Sequence, residues 1–218
     1  LRGATGEDVM IGIVLAGGKA SRLGGGDKGC HAVGGRSILE RVVAAMRVQC
    51  DGLVLNANGD ATRFASLGVP VVADAEPDQP GPLAGILASL DHIAIHHPRV
   101  RFAVSVPTDT PFLPADLVAR LQDMRAAESA AIVCARSGGR AHYVAALWSV
   151  DLRHDLRRAV GVDGLTRVRD FIDRHPFAYA DWPVSPFDPF FNVNTPEDVA
   201  EAERIAQKAD ASARPAVR

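Results

Sequence analysis

MIGIV, residues 10–14, runs directly into LAGGKASRLGGGDKG, residues 15–29. The second stretch holds six glycines, three cationic side chains and one carboxylate in fifteen residues. A short β-branched run ending in glycine reads as a buried strand that feeds a loop. Gly24, Gly26 and Gly29 satisfy GxGxxG, but that fingerprint has to follow its strand at once and open a helix. Here the strand ends near Ala16, and the next helical pattern waits until about Ser37. A GK[ST] tripeptide occurs nowhere, so a Walker A loop is excluded as well. What remains is a long loop at the carboxyl end of the first strand, where open α/β sheets take their ligands. Gly17 and Gly18 let backbone N–H groups approach phosphate oxygens or a base edge with no Cβ in the way. Lys19, Arg22 and Lys28 add positive charge opposed only by Asp27; a surface loop with solvated charges is the alternative, and the placement after the first strand points instead to a triphosphate.

Outward from this loop, β-branched runs alternate with amphipathic stretches, the pattern of a parallel sheet covered by helices. Residues 11–16, 52–58, 70–74 and 101–107 read as strands, and their near-continuous apolar character suits burial on both faces. Residues 37–49 read as a helix with Ser37 as N-cap and Glu40 closing a capping box. Residues 82–97 and 114–128 read as helices with proline near the first turn. Strands at AAIVCA (130–135) and HYVAALW (142–148) follow, then helical segments around 150–160 and 164–174. FNVNTPEDVAEAERIAQ (191–207) reads as a short strand and a helix capped by Thr195, with Pro196 at its first position. The expectation is a single α/β domain over 10–208, layered α/β/α and Rossmann-like with a mostly parallel central sheet. Residues 1–9 and 209–218 are expected to be flexible termini.

Composition narrows the function. The 218 residues are 47% hydrophobic, enough for a sizeable core, and carry a net charge of −2. No global basic field favours nucleic acid, so affinity for a polyanion has to be local. No stretch approaches the ~20 apolar residues of a membrane span. Cys30, Cys50 and Cys134 form no CxxC pair and no even disulfide set, which fits a reducing cytoplasm.

VPTDTPF, residues 106–112, is the second group of residues with chemistry to offer. Asp109 stands at the end of a strand between two threonines, where a carboxylate can hold Mg²⁺ and leave the other positions to phosphates and water. An Asx-turn or a helix cap accounts for a lone aspartate there equally well. Asp109 is not alone, because the strand that carries it is expected to neighbour the first strand across the ligand crevice. His92, His96 and His97 mimic a zinc spacing, yet the glutamate of HExxH is missing, so the polar face of a helix explains them better. Trp148, Phe177, Trp182, Phe187, Phe190 and Phe191 read as core and rim rather than as a stacking platform for nucleic-acid bases.

LAGGKASRLGGGDKG, NAN (56–58), PVVAD (70–74), PGPLAGI (80–86), VPTDTPF and FNVNTPED (191–198) together resemble the molybdenum cofactor guanylyltransferases. That family belongs to the nucleotidyltransferases with the glycosyltransferase-A type of fold, and the motifs run in its order from 15 to 198. The resemblance implies transfer of GMP from GTP to molybdenum-loaded molybdopterin, with Mg²⁺ as cofactor and pyrophosphate as second product. It implies that Leu15, Ala16, Gly17 and Gly18 contact the nucleotide, with Gly85 of the PGPLAG motif beside them. Asn56 and Asp74 help hold the nucleoside end, Lys28 and Arg22 meet the phosphates, and Asp109 binds the metal. Asn192 and Asn194 lie on the acceptor side. Tyr143 departs from the family by standing where many members carry proline after the histidine, and CHAVGG (30–35) replaces a more apolar stretch. Both departures fall toward the pterin side or the scaffold. Cofactor-delivery or molybdoenzyme chaperone proteins are the macromolecular partners implied, with neither nucleic acid nor membrane. The alternatives are a CTP-dependent relative acting on molybdopterin or on a sugar or polyol phosphate, and a non-catalytic nucleotide-binding delivery partner.

Overall fold

Residues 9–17, 29, 31–74 and 81–213 are described by the computed structural model. Strand β1 (Ile11–Leu15) leads past the loop to a small hairpin, β2 (Ala32–Val33) and β3 (Arg36–Ser37), and then to helix α1 (Ile38–Arg47). The capping box read from the sequence is present: Glu40 N donates to Ser37 Oγ at 3.2 Å, and Ser37 N donates to Glu40 Oε2 at 2.8 Å. Those donors from Ser37 hold the Glu40 carboxyl below its ordinary pKa. Strand β4 (Gly52–Asn56), a 3-10 turn (Ala61–Leu67) and β5 (Val71–Val72) follow. Then come α2 (Pro82–His96), β6 (Phe102–Pro107), α3 (Leu117–Glu128), β7 (Ile132–Ser137) and β8 (Arg140–Ser149). After α4 (Arg153–Gly161) and α5 (Val168–Ile172), β9 (Phe177–Trp182) completes the sheet, and α6 (Pro196–Ala213) ends the order.

Seven of these strands form one sheet in the order β5-β4-β1-β6-β8-β7-β9. Every pairing in it is parallel except those of β8, which runs against both β6 and β7. The period of two along each strand divides the core. Ile11, Ile13 and Leu15 point to one face with α2, α4 and α5, while Met10, Val14 and Ala16 point to the other with α1, α3 and α6. The three-layer reading therefore holds, as does the expected contact between β1 and the strand bearing Asp109.

Three local expectations need correction. Residues 177–182 form a strand that the polar and aromatic residues of FAYADW did not announce. The helix expected over 164–174 is confined to Val168–Ile172. Residues 191–194 join no ladder; the Val193 N–H, which a strand would give to its neighbour, goes to the Asp109 carbonyl at 2.8 Å. Thr195 caps α6 as read, since Asp198 N donates to Thr195 Oγ1, while Asp198 Oδ2 accepts from Asn194 N and Thr195 N.

One buried polar contact joins the parallel and antiparallel halves. Trp148 Nε1 donates at 2.8 Å to Ser105 Oγ, which donates in turn to the Val144 carbonyl. Both side chains are fully buried. Ser105→Ala would leave the indole N–H with no partner, at a cost of about 1–3 kcal/mol. The expected outcome in a thermal melt is a midpoint about 2–4 °C lower per kcal/mol lost. Adding Trp148→Phe should recover part of the loss, because the orphaned donor is then gone as well.

Candidate active site

The carboxyl ends of β1, β4, β5 and β6 lie side by side, and two groups of side chains gather there. The first surrounds Asn56, the last residue of β4, which is almost fully buried. Asn56 Nδ2 donates to the Val72 carbonyl at 3.1 Å and to Asp74 Oδ1 at 2.8 Å. Asn58 takes the other carboxylate oxygen: its Nδ2 donates to Asp74 Oδ2 at 2.8 Å, and its Oδ1 accepts from Asp74 N at 2.9 Å. Two asparagines thus hold Asp74 in a fixed orientation. The remaining face of the Asn56 amide lies against α2, where a Cβ on Gly85 would come within 2.2 Å of Asn56 Oδ1. Gly85 is a glycine because this amide occupies the space of a side chain. Ala16 N donates to the Asn56 carbonyl at 2.8 Å, which fixes Leu15, Ala16 and Gly17 beside this group. Among the described residues, a Cβ on Gly17 would meet nothing within 4 Å.

The second group lines a cavity of about 470 Å³. Asp109 reaches it from the turn after β6, and Asn192 from the loop tied to Asp109 by Val193. Arg140 and Tyr143 of β8 line it too, with Arg167 and Arg169 at the start of α5. Between β7 and β8 the pairing passes from Ala135↔His142 to Cys134↔Ala146, so residues 143–145 bulge out of the ladder. A bulge of this kind re-aims side chains, and here it turns Tyr143, Val144 and Ala145 to the cavity wall. The hairpin turn is Gly138-Gly139, both at positive φ (53° and 81°), the geometry of the tight turn that matches strand twist.

His142, in the same wall, belongs to a small network. Its Nε2 lies 2.8 Å from Ser137 Oγ, and Ser137 Oγ donates to Asp188 Oδ1 at 2.8 Å. Phe190 N donates to the same Asp188 oxygen at 2.9 Å, and the Phe190 ring stacks on His142 with centroids 4.6 Å apart. Burial holds the imidazole below its ordinary pKa, with Asp188 opposing that shift and Arg140 adding to it.

Of the expected residues, the structure brings Leu15, Ala16, Gly17, Asn56, Asp74 and Gly85 together, and places Asp109 with Asn192 in the adjoining cavity. Asn194 does not line that cavity; its backbone N–H serves the cap of α6. Gly18, Arg22 and Lys28 lie outside the described residues. Sequence reasoning missed Asn58, the arginine rim and the Ser137–His142–Asp188 network. The Gly-Gly pair between two apolar runs was the available signal, since a two-residue hairpin sets Ser137 opposite Arg140.

Asp109 is the one carboxylate among the described residues that line the cavity. A single hard oxygen donor suits Mg²⁺, which keeps waters and substrate phosphates in its shell, and does not suit a metal that needs a full protein cage. Among the described residues no trio of His, Cys, Asp or Glu is placed to hold a metal ion, His92 and His96 included. Burial and the two neighbouring histidines lower the pKa of His92.

A mostly parallel sheet between two helical layers carries a polar cradle and an acidic turn at the carboxyl ends of its strands, where open α/β sheets bind ligands. Residues 12–178 match the family model described as the MobA-like NTP transferase domain. The molybdenum cofactor guanylyltransferase of Rhodopseudomonas palustris (strain BisB5) is 56% identical, over 89% of this chain and 92% of that one. The enzyme of the same name from Nitrobacter hamburgensis is 53% identical, over 89% of this chain and 93% of its own. The crystal structure of molybdopterin-guanine dinucleotide biosynthesis protein A from Archaeoglobus fulgidus shares the fold. Its TM-score is 0.71 at 23% identity, covering 91% of this chain and all of that one. The chain belongs to the molybdenum cofactor guanylyltransferase family, and it is a nucleotidyltransferase of molybdenum cofactor biosynthesis.

Proposed function

We propose that the chain transfers GMP from GTP to molybdenum-loaded molybdopterin, giving the guanine dinucleotide cofactor and pyrophosphate. The observation that supports this reading is the adjacency of the Asn56–Asn58–Asp74 cradle to the Asp109 cavity at one sheet edge, in a chain of this family. The cradle and the backbone of Leu15 to Gly18 take the nucleoside, and Lys28 and Arg22 neutralise the departing pyrophosphate. Arg140, Arg167 and Arg169 offer cations to the phosphate of the acceptor. That phosphate oxygen is already ionised at neutral pH, so its in-line attack on the α-phosphorus needs no strong base. Catalysis is then chiefly positioning and charge stabilisation. Asp109 would hold Mg²⁺, which when bound supplies positive charge at the α-phosphate. The cytoplasm is the proposed location; among the described residues no helix is long and apolar enough to cross a membrane.

The test is pyrophosphate release from GTP, CTP and ATP, each with molybdenum-loaded molybdopterin and Mg²⁺. Turnover confined to GTP is the expected result, and preference for CTP would overturn the guanylyl reading. A melt offers an independent check: GTP at 100-fold its Kd should add about 2.7 kcal/mol of stability, while CTP adds little.

A further inference from the structure

The network beside the acceptor cavity has a proton arrangement that its geometry dictates. Ser137 has one hydroxyl proton and two partners, His142 Nε2 and Asp188 Oδ1, each at 2.8 Å. Asp188 Oδ1 already accepts from Phe190 N, as a carboxylate oxygen can, so the Ser137 proton goes to Asp188. His142 then has to donate through Nε2–H, and in the neutral ring that burial favours, Nδ1 carries the lone pair. Ser137 is buried, the ring stacks on Phe190, and His142 is one of the residues that line the cavity. No other hydrogen bond to this ring is seen among the described residues, which leaves Nδ1 for a ligand. Among the described residues, the charged groups that line that cavity are Arg140, Arg167 and Arg169, all donors, and Asp109. A neutral nitrogen acceptor in this company is matched to an N–H donor rather than to a phosphate.

We propose that His142 is a specificity residue for the acceptor substrate, reading a ring N–H or amino donor of its heterocycle through Nδ1 while Ser137 and Asp188 hold the tautomer. The inference rests on the proposed function in one respect: the acceptor is a phosphorylated pterin, a heterocycle rich in N–H donors. Ser137 and Asp188 are positioning residues that act through the ring.

Two substitutions separate recognition from scaffolding, because Asn places its amide near Nδ1 and Gln reaches to Nε2. His142→Gln keeps the contact with Ser137 and loses the acceptor at Nδ1. It is expected to raise the KM for molybdenum-loaded molybdopterin about tenfold, the size of one lost hydrogen bond, with the KM for GTP unchanged. His142→Asn loses the contact with Ser137 but restores an oxygen near Nδ1, and should keep the acceptor KM within a few-fold of wild type. Both variants should give the wild-type melting shift with GTP. A purely structural histidine reverses the order, with Gln the milder change, and that order would overturn the inference. Wild-type acceptor KM in both variants would overturn it too, while leaving the guanylyltransferase reading intact. A wild-type protein inert with every nucleotide would defeat that reading, and this inference with it.

Discussion

Asp109→Asn is expected to lower kcat by on the order of 10²–10³ while leaving the fold and GTP binding nearly unchanged. The substitution keeps the shape of the side chain and removes the charge that would hold a hard cation. The backbone carbonyl of Asp109 accepts from Val193 N, and an amide side chain does not disturb that bond. The rival explanation from the sequence, a helix cap, has no support in the structure: α3 begins at Leu117, well beyond Asp109, and Asp116 holds its N-cap position. A turn aspartate without a metal role would tolerate Asn at little cost. Measuring kcat against Mg²⁺ concentration for both proteins separates the two. Near wild-type rates at every Mg²⁺ level would remove Asp109 from the mechanism.

Gly85→Ala should destabilise the fold and weaken GTP binding, although the residue lies inside a helix. In most helices this change stabilises by up to ~1 kcal/mol. Here the new Cβ falls 2.2 Å from Asn56 Oδ1, 2.8 Å from its Cγ and 3.1 Å from Leu15 Cδ2. The Asn56 amide is too short and too firmly bonded to step aside without releasing Val72 and Asp74. Overpacking of this kind costs about 1–3 kcal/mol, enough to reverse the helix gain. With the cradle displaced, GTP affinity should fall about tenfold or more. A compensating variant tells the two effects apart. Adding Asn56→Ala empties the contested space, so the melting midpoint should recover while GTP affinity stays low. Full GTP affinity in the Gly85→Ala protein would show that Asn56 and Asp74 do not belong to the nucleotide site.

The layered fold was legible because its signals are local. Ser37 and Glu40 are three residues apart, Pro82 and Pro196 start their helices, and the strands covered on both faces are apolar throughout. The residues proposed for the nucleotide side came from the family resemblance, and of these Leu15 and Asn56 end their strands while Asp74 follows β5. What escaped depends on long-range partners. FNVN has the composition of a strand, but Val193 spends its N–H on Asp109, a long way back in the chain. Strand β9 is stapled by Arg136, which forms a bidentate pair with Asp181 at 2.7 Å and covers Tyr179. Neither contact leaves a periodic trace. The Ser137–His142–Asp188 network joins a strand end, a strand start and a distant loop, and only the register shift after Cys134 turns the wall beside it toward the cavity. Tyr143, read as a departure near the pterin side or scaffold, lines the cavity and is hydrogen-bonded to Tyr179.

Strand β8 is the one strand of the large sheet that runs backwards, so it starts at the edge where its neighbours finish. Parallel strands leave that edge through loops that have room to lengthen, whereas β7 and β8 are joined there by two glycines alone. Insertions at this point would break the turn that keeps the strands in register. The proposed nucleotide side can therefore diversify by growing its loops, but the β7–β8 part of the wall proposed to face the acceptor can change only by exchanging one side chain for another. Relatives with a different taste in acceptors should differ here letter for letter, at constant length.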